Sequence, residues 1–356
     1  MDCSTGWLLD VSIEQNRATI WIKTKERKIL QLLDTYQPNF YVLPKDGNTG
    51  ADLFQILSQQ SIVKKVEWED KFTDLLDNDK HGMKKLICVY PESLPYYKTL
   101  LKSLEKYARV VQLFNTDLSY IQQYLFTKLK IEPTSKVEVQ YDKNGSRLIK
   151  IAKIEEDLVA APPPFSILYF EIHTTSSMYN LGHDVNDPII RIRARYQHEP
   201  EIAFEGSEDS ILKDFSGYVL ANDPDVLFSS NQHSRSNTIL DYLFVRMSRL
   251  DLHLGRDKNT NKTNKIEGRV YLNNKSLRSD LDLVGLIEKA QFSFLPLTLA
   301  AHHGISRLID SRNCYELIQR GFVIPHSNDN HERIRARRNN CQGSRQHDIL
   351  SSSGIT

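Results

Sequence analysis

Few residues in the chain have a type and spacing that could do chemistry. Glu171 is the one acidic residue in Phe165-Ser166-Ile167-Leu168-Tyr169-Phe170-Glu171-Ile172, a run that otherwise reads as a fully buried strand. Arg191, Arg193 and Arg195 take alternate positions in a second strand pattern, Ile189–Tyr196, and so share one face. Lys258, Lys262 and Lys265 fall in the polar, low-complexity segment 257–267, which reads as an exposed loop. Such cations could contact phosphates and supply salt-dependent, sequence-independent affinity. The plainer reading of the arginine row is the solvated face of an antiparallel strand. The four cysteines, Cys3, Cys88, Cys314 and Cys341, form no CxxC pair, which argues against a disulfide framework or structural zinc and fits a cytoplasmic location.

The elements that must position these residues are mixed. Strand patterns cover Gly6–Val11, Ala18–Thr24 (Ala18, Ile20 and Ile22 on one face), 39–43 and 86–90. A helix from near Ser93 puts Tyr97, Leu100, Leu101, Leu104 and Tyr107 on one stripe, and strand 110–114 closes a β-α-β unit. Asp117 is expected to cap a helix carrying Ile121, Leu125 and Leu129. Ala160-Ala161-Pro162-Pro163-Pro164 reads as a stiff linker. Beyond it come helices near 208–220 and 237–250, a strand at 225–228 and a helical region at 283–303. Strands interleaved with helices predict an α/β sheet domain after the linker.

Bulk properties narrow the function classes. The 356 residues suit two or three domains, and 40% hydrophobic with 26% charged residues is ordinary for a globular chain. With 46 Lys plus Arg against 45 Asp plus Glu, a histone-like binder is excluded, though one basic groove is not. The N-terminus lacks the basic and apolar regions of a secretory signal, and no apolar run has membrane-spanning length, so no membrane partner is expected.

Several stretches resemble archaeal family B DNA polymerases, whose N-terminal domain and 3′–5′ exonuclease domain they follow in order. They are Gly6–Asp10 with 21–24 and 39–43, then 117–133, 163–174, 222–231, 250–257, 268–272 and 294–312. The resemblance implies a mixed α+β N-terminal domain at 1–132, connecting strands and linker at 133–164, and a ribonuclease H-like exonuclease domain at 165–325. The family's nuclease chemistry needs two divalent ions gripped by carboxylates. In its first motif, Phe-Asp-Ile-Glu-Thr, the Asp position is Glu171 here and the Glu position is His173. Glu171 carries its carboxylate one methylene further out, displacing a metal by roughly an ångström. His173 offers nitrogen, which suits zinc better than Mg²⁺, and is expected to fill a vacated acidic pocket. In the second motif Asn231 matches, but the catalytic Asp falls on Ser236; Asp241 on the next helix could substitute only in a reshaped loop. In the third, Asp282 is the best acid, ahead of Asp280, and the tyrosine position falls on Arg278.

The pattern resembles the branch of the family with degenerate exonuclease motifs. It implies a DNA-binding module without nuclease activity, needing no cofactor, with Mg²⁺ relevant only if activity survives. The alternative is a working exonuclease with shifted metal ligands Glu171, Asp241 and Asp282. A third class, a module docking on another subunit, has no groove or coiled-coil signal. The family's nucleotidyl-transfer motifs do not occur in the sequence, so the chain is expected to be an N-terminal fragment, inactive alone, whose partners are DNA and a missing polymerase C-terminal portion. After Glu332 the composition turns to Arg-rich and Ser-rich sequence without apolar periodicity, expected to be disordered across 326–356. That tail reads either as a basic nucleic-acid arm or as out-of-frame sequence.

Overall fold

A computed structural model describes residues 2–44, 50–74, 82–105, 111–155, 162–175, 187–230, 238–256, 266–273 and 282–326. The chain forms two compact units, residues 1–36 with 120–316, and residues 37–119 with 317–356. These units do not follow the sequence boundaries at 132 and 164. Strand β1 (Asp2–Glu14) pairs antiparallel with β8 (Lys136–Tyr141), Gly6 opposite Val137, so the opening strands fold with the connecting segment. Strand partnership is set by register and shared burial, and local periodicity carries no information about so distant a partner.

The first sheet of the first unit runs β3-β2-β1-β8-β9, with β2 at Arg17–Thr24, β3 at Ile29–Thr35 and β9 at Leu148–Lys153. Gln15 and Asn16 close the β1–β2 hairpin with φ of 47° and 64°, the paired positive values of a type I′ turn. Ala18, Ile20 and Ile22 are fully buried, as their shared face predicts, but Trp21 and Lys23 on the other face are buried too. Strand β2 is therefore covered on both faces, and a second layer meets its Trp21 face.

That layer is the second sheet, ordered β12-β11-β10-β13-β14. Strands β10 (Ile167–Thr174), β11 (Ile189–Tyr196) and β12 (Ile202–Glu205) are antiparallel neighbours. Strands β13 (Val226–Ser229) and β14 (Val270–Asn273) run parallel to β10. One face packs Leu168, Phe170, Ile172, Ile192 and Ala194 against Ile211 and Phe215 of α4 (Glu208–Asn222) and Leu243 and Met247 of α5 (Thr238–Arg249). On the other face, Val226, Phe228, Val270 and Leu272 pack with Leu9, Trp21 and the helices α6 (Leu283–Ser293) and α7 (Leu297–His302). The β10–β11 part of that second face is where the polar side chains stand.

The second unit holds an antiparallel sheet of order β5-β6-β4-β7, comprising β4 (Phe40–Pro44), β5 (Val63–Phe72), β6 (Met83–Pro91) and β7 (Val111–Phe114). Helix α1 (Gly50–Ser58) joins β4 to β5, and α2 (Leu94–Glu105) joins β6 to β7. The β-α-β unit expected at 86–114 is thus a split one, with β4 lying between β6 and β7. Tyr97, Leu100 and Leu104 of α2 are buried as predicted, while Tyr107 lies outside the described residues. The first helical residue after Asp117 is Tyr120, and Asp117 Oδ1 meets His326 Nδ1 at 2.8 Å. Helix α3 (Tyr120–Tyr124) of the first unit continues into a π-helical turn, Leu125–Leu129. Among the described residues no helix is long and apolar enough to cross a membrane. The tail expected to be disordered lies, beyond His326, outside the described residues.

Candidate functional site

Strand alternation puts Tyr169, Glu171 and His173 on one face of β10 while Phe170 and Ile172 enter the core. Across the ladder, Tyr169 stands opposite Arg195, Glu171 opposite Arg193 and His173 opposite Arg191. Glu171 Oε2 lies 3.5 Å from His173 Nε2. The approach is not a hydrogen bond, and this buried nitrogen has no hydrogen-bond partner among the described residues. The Glu171 side chain is 42% exposed and that of His173 28% exposed, so an open carboxylate sits beside a half-covered imidazole. A bulge follows between His173 and Thr174; bulges re-aim side chains at strand ends.

The arginine row, which the sequence reads as a solvated strand face or as phosphate contacts, already has partners in the sheet. Arg191 Nε lies 2.6 Å from Glu205 of β12, Arg193 Nε lies 3.9 Å from Glu201, and the Arg195 guanidinium sits 4.9 Å over the Tyr169 ring. Both ion pairs are more than a third exposed, a setting where such pairs contribute only about 0–1 kcal/mol. A phosphate could displace either carboxylate at little cost.

Asp282, the best acid of the third motif, is the N-cap of α6: its Oδ1 accepts from Gly285 N at 2.9 Å. A Cβ at Gly285 would come within 2.4 Å of Asp282 Oδ2, so a larger residue there would require the capping carboxylate to shift. Asp241 falls on α5. Asn231, Ser236, Arg278, Asp280, Lys258, Lys262 and Lys265 lie outside the described residues. Among the described residues Glu171, His173 and Asp282 do not gather into a three-ligand cluster; Glu67, Glu69 and Cys88 of the second unit do. There, Glu67 pairs with Lys65 at 2.5 Å and Glu69 with Lys71 at 3.0 Å. Burial pushes the Cys88 thiol up to about 12.

Sequence reasoning missed what holds the start of β10. Asp225, fully buried, accepts from Ser166 N at 2.9 Å and Ser166 Oγ at 3.0 Å through Oδ2. Lys23 Nζ approaches the same oxygen at 3.0 Å, and Arg256 Nη2 donates to Oδ1 at 2.9 Å. Arg256 and Arg269 both reach Asp223 at 2.8 Å. Burial alone would raise the Asp223 carboxyl, but the two guanidinium groups outweigh it and hold it below its ordinary value. Burial, with the Arg256 charge, lowers Arg269 to about 10 despite Asp223. The available signal was Lys23, a cation inside the apolar strand 21–24 that demands a buried acid.

No protein-family model matches the chain. It is 24% identical over 265 residues to a DNA polymerase from Archaeoglobus fulgidus, a match covering 72% of this chain and 32% of that relative. Its fold matches the family B DNA polymerase from the hyperthermophilic archaeon Pyrobaculum calidifontis with a TM-score of 0.75 at 16% identity, over 91% of this chain and 52% of that one. The chain thus spans about a third of the length of its curated relative and about half of the solved structure. In sequence and in its mixed α/β fold, the chain resembles archaeal family B DNA polymerases over their N-terminal and exonuclease-domain region.

Proposed function

We propose that this chain is the N-terminal portion of a family B DNA polymerase, and that its exonuclease-like domain serves as a DNA-binding wall without nuclease activity. The sheet order β12-β11-β10-β13-β14, with three antiparallel strands followed by two parallel ones, supports a ribonuclease H-like reading of the domain. In such a sheet a metal site would stand at the carboxyl ends of the parallel strands, where β10 carries Glu171 and His173.

The observation that carries the proposal is the pair Glu171–His173. Two-metal hydrolysis requires hard oxygen donors that bridge two Mg²⁺ ions. The second donor here is an imidazole whose Nε2 lies 3.5 Å from Glu171, and Asp282 is engaged as a helix cap. That donor set does not fit Mg²⁺, and the cap role counts against the shifted set Glu171, Asp241 and Asp282. Phosphate contacts would come from Arg191, Arg193 and Arg195, by exchange of their exposed carboxylate partners, and from Lys262. Binding would therefore be weak, salt-dependent and indifferent to sequence. Primer extension is not expected of this chain alone, since its sequence carries none of the family's nucleotidyl-transfer motifs. A cytoplasmic location is part of this proposal, on the cysteine spacing, which holds no CxxC pair.

The test is a gel assay on single-stranded and mismatched 3′-labelled primers with Mg²⁺ and with Mn²⁺. The expected result is no metal-dependent shortening above background, together with retarded DNA at low salt. Shortening that disappears in Glu171→Ala would replace the proposal with the shifted-ligand enzyme.

A further inference from the structure

The donor pair at the end of β10 does not fit Mg²⁺, and its geometry meets the requirements of a different ion. Glu171 and His173 stand two residues apart on one strand, so the pleat holds both side chains on one face. Two donors in that relation are already set in place by the backbone, which lowers the cost of ordering them around an ion.

The separation of the donor atoms selects the ion. Glu171 Oε2 and His173 Nε2 are 3.5 Å apart, too far for a hydrogen bond and too close for a water molecule to lie in line between them. Zinc ligands stand about 2.0–2.2 Å from the ion at the corners of a tetrahedron, which sets neighbouring donors roughly 3.3–3.6 Å apart. The pair spans one edge of that tetrahedron. Octahedral Mg²⁺, at about 2.0–2.1 Å, would need neighbouring donors roughly 2.8–3.0 Å apart. An imidazole with a carboxylate is also a borderline donor set, which zinc takes ahead of Mg²⁺ or Mn²⁺.

The imidazole nitrogen supplies a second observation. His173 Nε2 is buried and has no hydrogen-bond partner among the described residues, a costly state for a polar atom. The carboxylate beside it is 42% exposed and gives an ion its way in. An ion seated between the two atoms satisfies the nitrogen without any new protein contact. Across the ladder, Arg193 and Arg191 are paired with Glu201 and Glu205. Among the described residues no third carboxylate, thiol or imidazole joins the pair.

We propose that Glu171 and His173 bind a single zinc ion through Oε2 and Nε2, in place of the two Mg²⁺ ions of a nuclease. The proposal rests on the reading above that this donor set does not fit Mg²⁺. One ion without a bridged partner cannot stabilise both the attacking and the leaving oxygen. It places positive charge beside the arginine row instead.

The test titrates Zn²⁺ into the full chain against a chromophoric chelator, without DNA. The wild type, Glu171→Gln, His173→Gln and Cys88→Ser are compared, each checked for wild-type folding by circular dichroism. Cys88→Ser controls for the Glu67–Glu69–Cys88 cluster of the second unit. One equivalent of zinc is expected, not displaced by excess Mg²⁺ and unchanged in Cys88→Ser. Glu171→Gln and His173→Gln should each weaken it about tenfold or more, at least the cost of losing an outer-sphere partner. Co²⁺ in its place should give the visible bands of a tetrahedral ion, lost in His173→Gln, with no thiolate-to-cobalt band. That missing band makes the same distinction if Cys88→Ser fails to fold. No zinc binding by the wild type, unchanged affinity in either site variant, loss in Cys88→Ser or displacement by Mg²⁺ overturns the proposal. Because zinc is read without DNA, its absence leaves the DNA-binding reading standing. Mg²⁺-dependent primer shortening in the gel assay removes that reading whatever the zinc result.

Discussion

The two ends of strand β10 carry charge of opposite character. At its start, Asp225 sits out of water with each carboxylate oxygen met by a cation and one also met by Ser166. At its end, Glu171 is 42% exposed beside an imidazole that does not hydrogen-bond it. A buried carboxylate with complete partners fixes geometry and has no free lone pairs for chemistry. An open carboxylate at a strand end has room for chemistry but needs companion ligands. The contrast separates an acid that holds the sheet together from one that, on the function proposed above, stands where a reaction centre would be without its companion ligands.

Removing the anchored acid should have the largest effect. Asp225→Ala would leave Lys23 buried without its carboxylate and Arg256 with Asp223 alone, and stability should fall by about 3–5 kcal/mol in a urea titration. A loss under about 1 kcal/mol would mean that the start of β10 is held no more firmly than its end.

A third carboxylate, the half-buried Asp10, sharpens the comparison because no cation is among the groups that act on it. Burial pushes the Asp10 carboxyl up from 3.8; a backbone hydrogen bond at Val11 opposes this, the charge of Glu267 adds to it, and the result is about 7. Between about pH 4 and pH 7 the native state therefore holds a proton that the unfolded chain has released. Stability should decline as pH rises through that window and level off above it. Asp10→Asn, which stays neutral, should match the wild type near pH 4. At pH 8 it should be more stable by on the order of 3–4 kcal/mol. Equal stability at pH 8 would remove the uncompensated burial.

Asp282→Ala tests whether that acid serves a helix or a metal. Loss of the N-cap should lower stability by about 1 kcal/mol in thermal melts, by the same amount with and without added Mg²⁺. Glu171→Ala should change stability least, within about 0.5 kcal/mol, because no fold contact depends on it.

Much of the fold was legible where burial is one-sided or total. The apolar runs of β10 and β13 and the 3.6-residue period of α4 and α5 read correctly because tertiary packing agrees with local pattern. Strand β5 was missed: Val63–Phe72 is largely charged, since it is an edge strand of an antiparallel sheet and needs little apolar surface. The π-helical turn was hidden because Leu125 and Leu129 fit an ordinary helix; the bond from Lys130 N to Leu125 O at 2.8 Å, five residues back, marks the change. At the candidate site, spacing alone placed Glu171 and His173 on one face. The partners of the arginine row were not legible, because Glu201 and Glu205 meet it through the register of β12, a non-local fact. The Asp225 anchor was hidden for the same reason: Lys23 and Asp225 are 202 residues apart in sequence.

The central claim is that the end of β10 cannot hold the metal pair a nuclease needs. Mn²⁺ titration of the full chain, followed by electron paramagnetic resonance, addresses it directly, because bound and free ion give different signals. The account predicts no stoichiometric Mn²⁺ binding that depends on Glu171, so the wild type and Glu171→Ala should give superimposable curves. A stoichiometric site that vanishes in Glu171→Ala would contradict it.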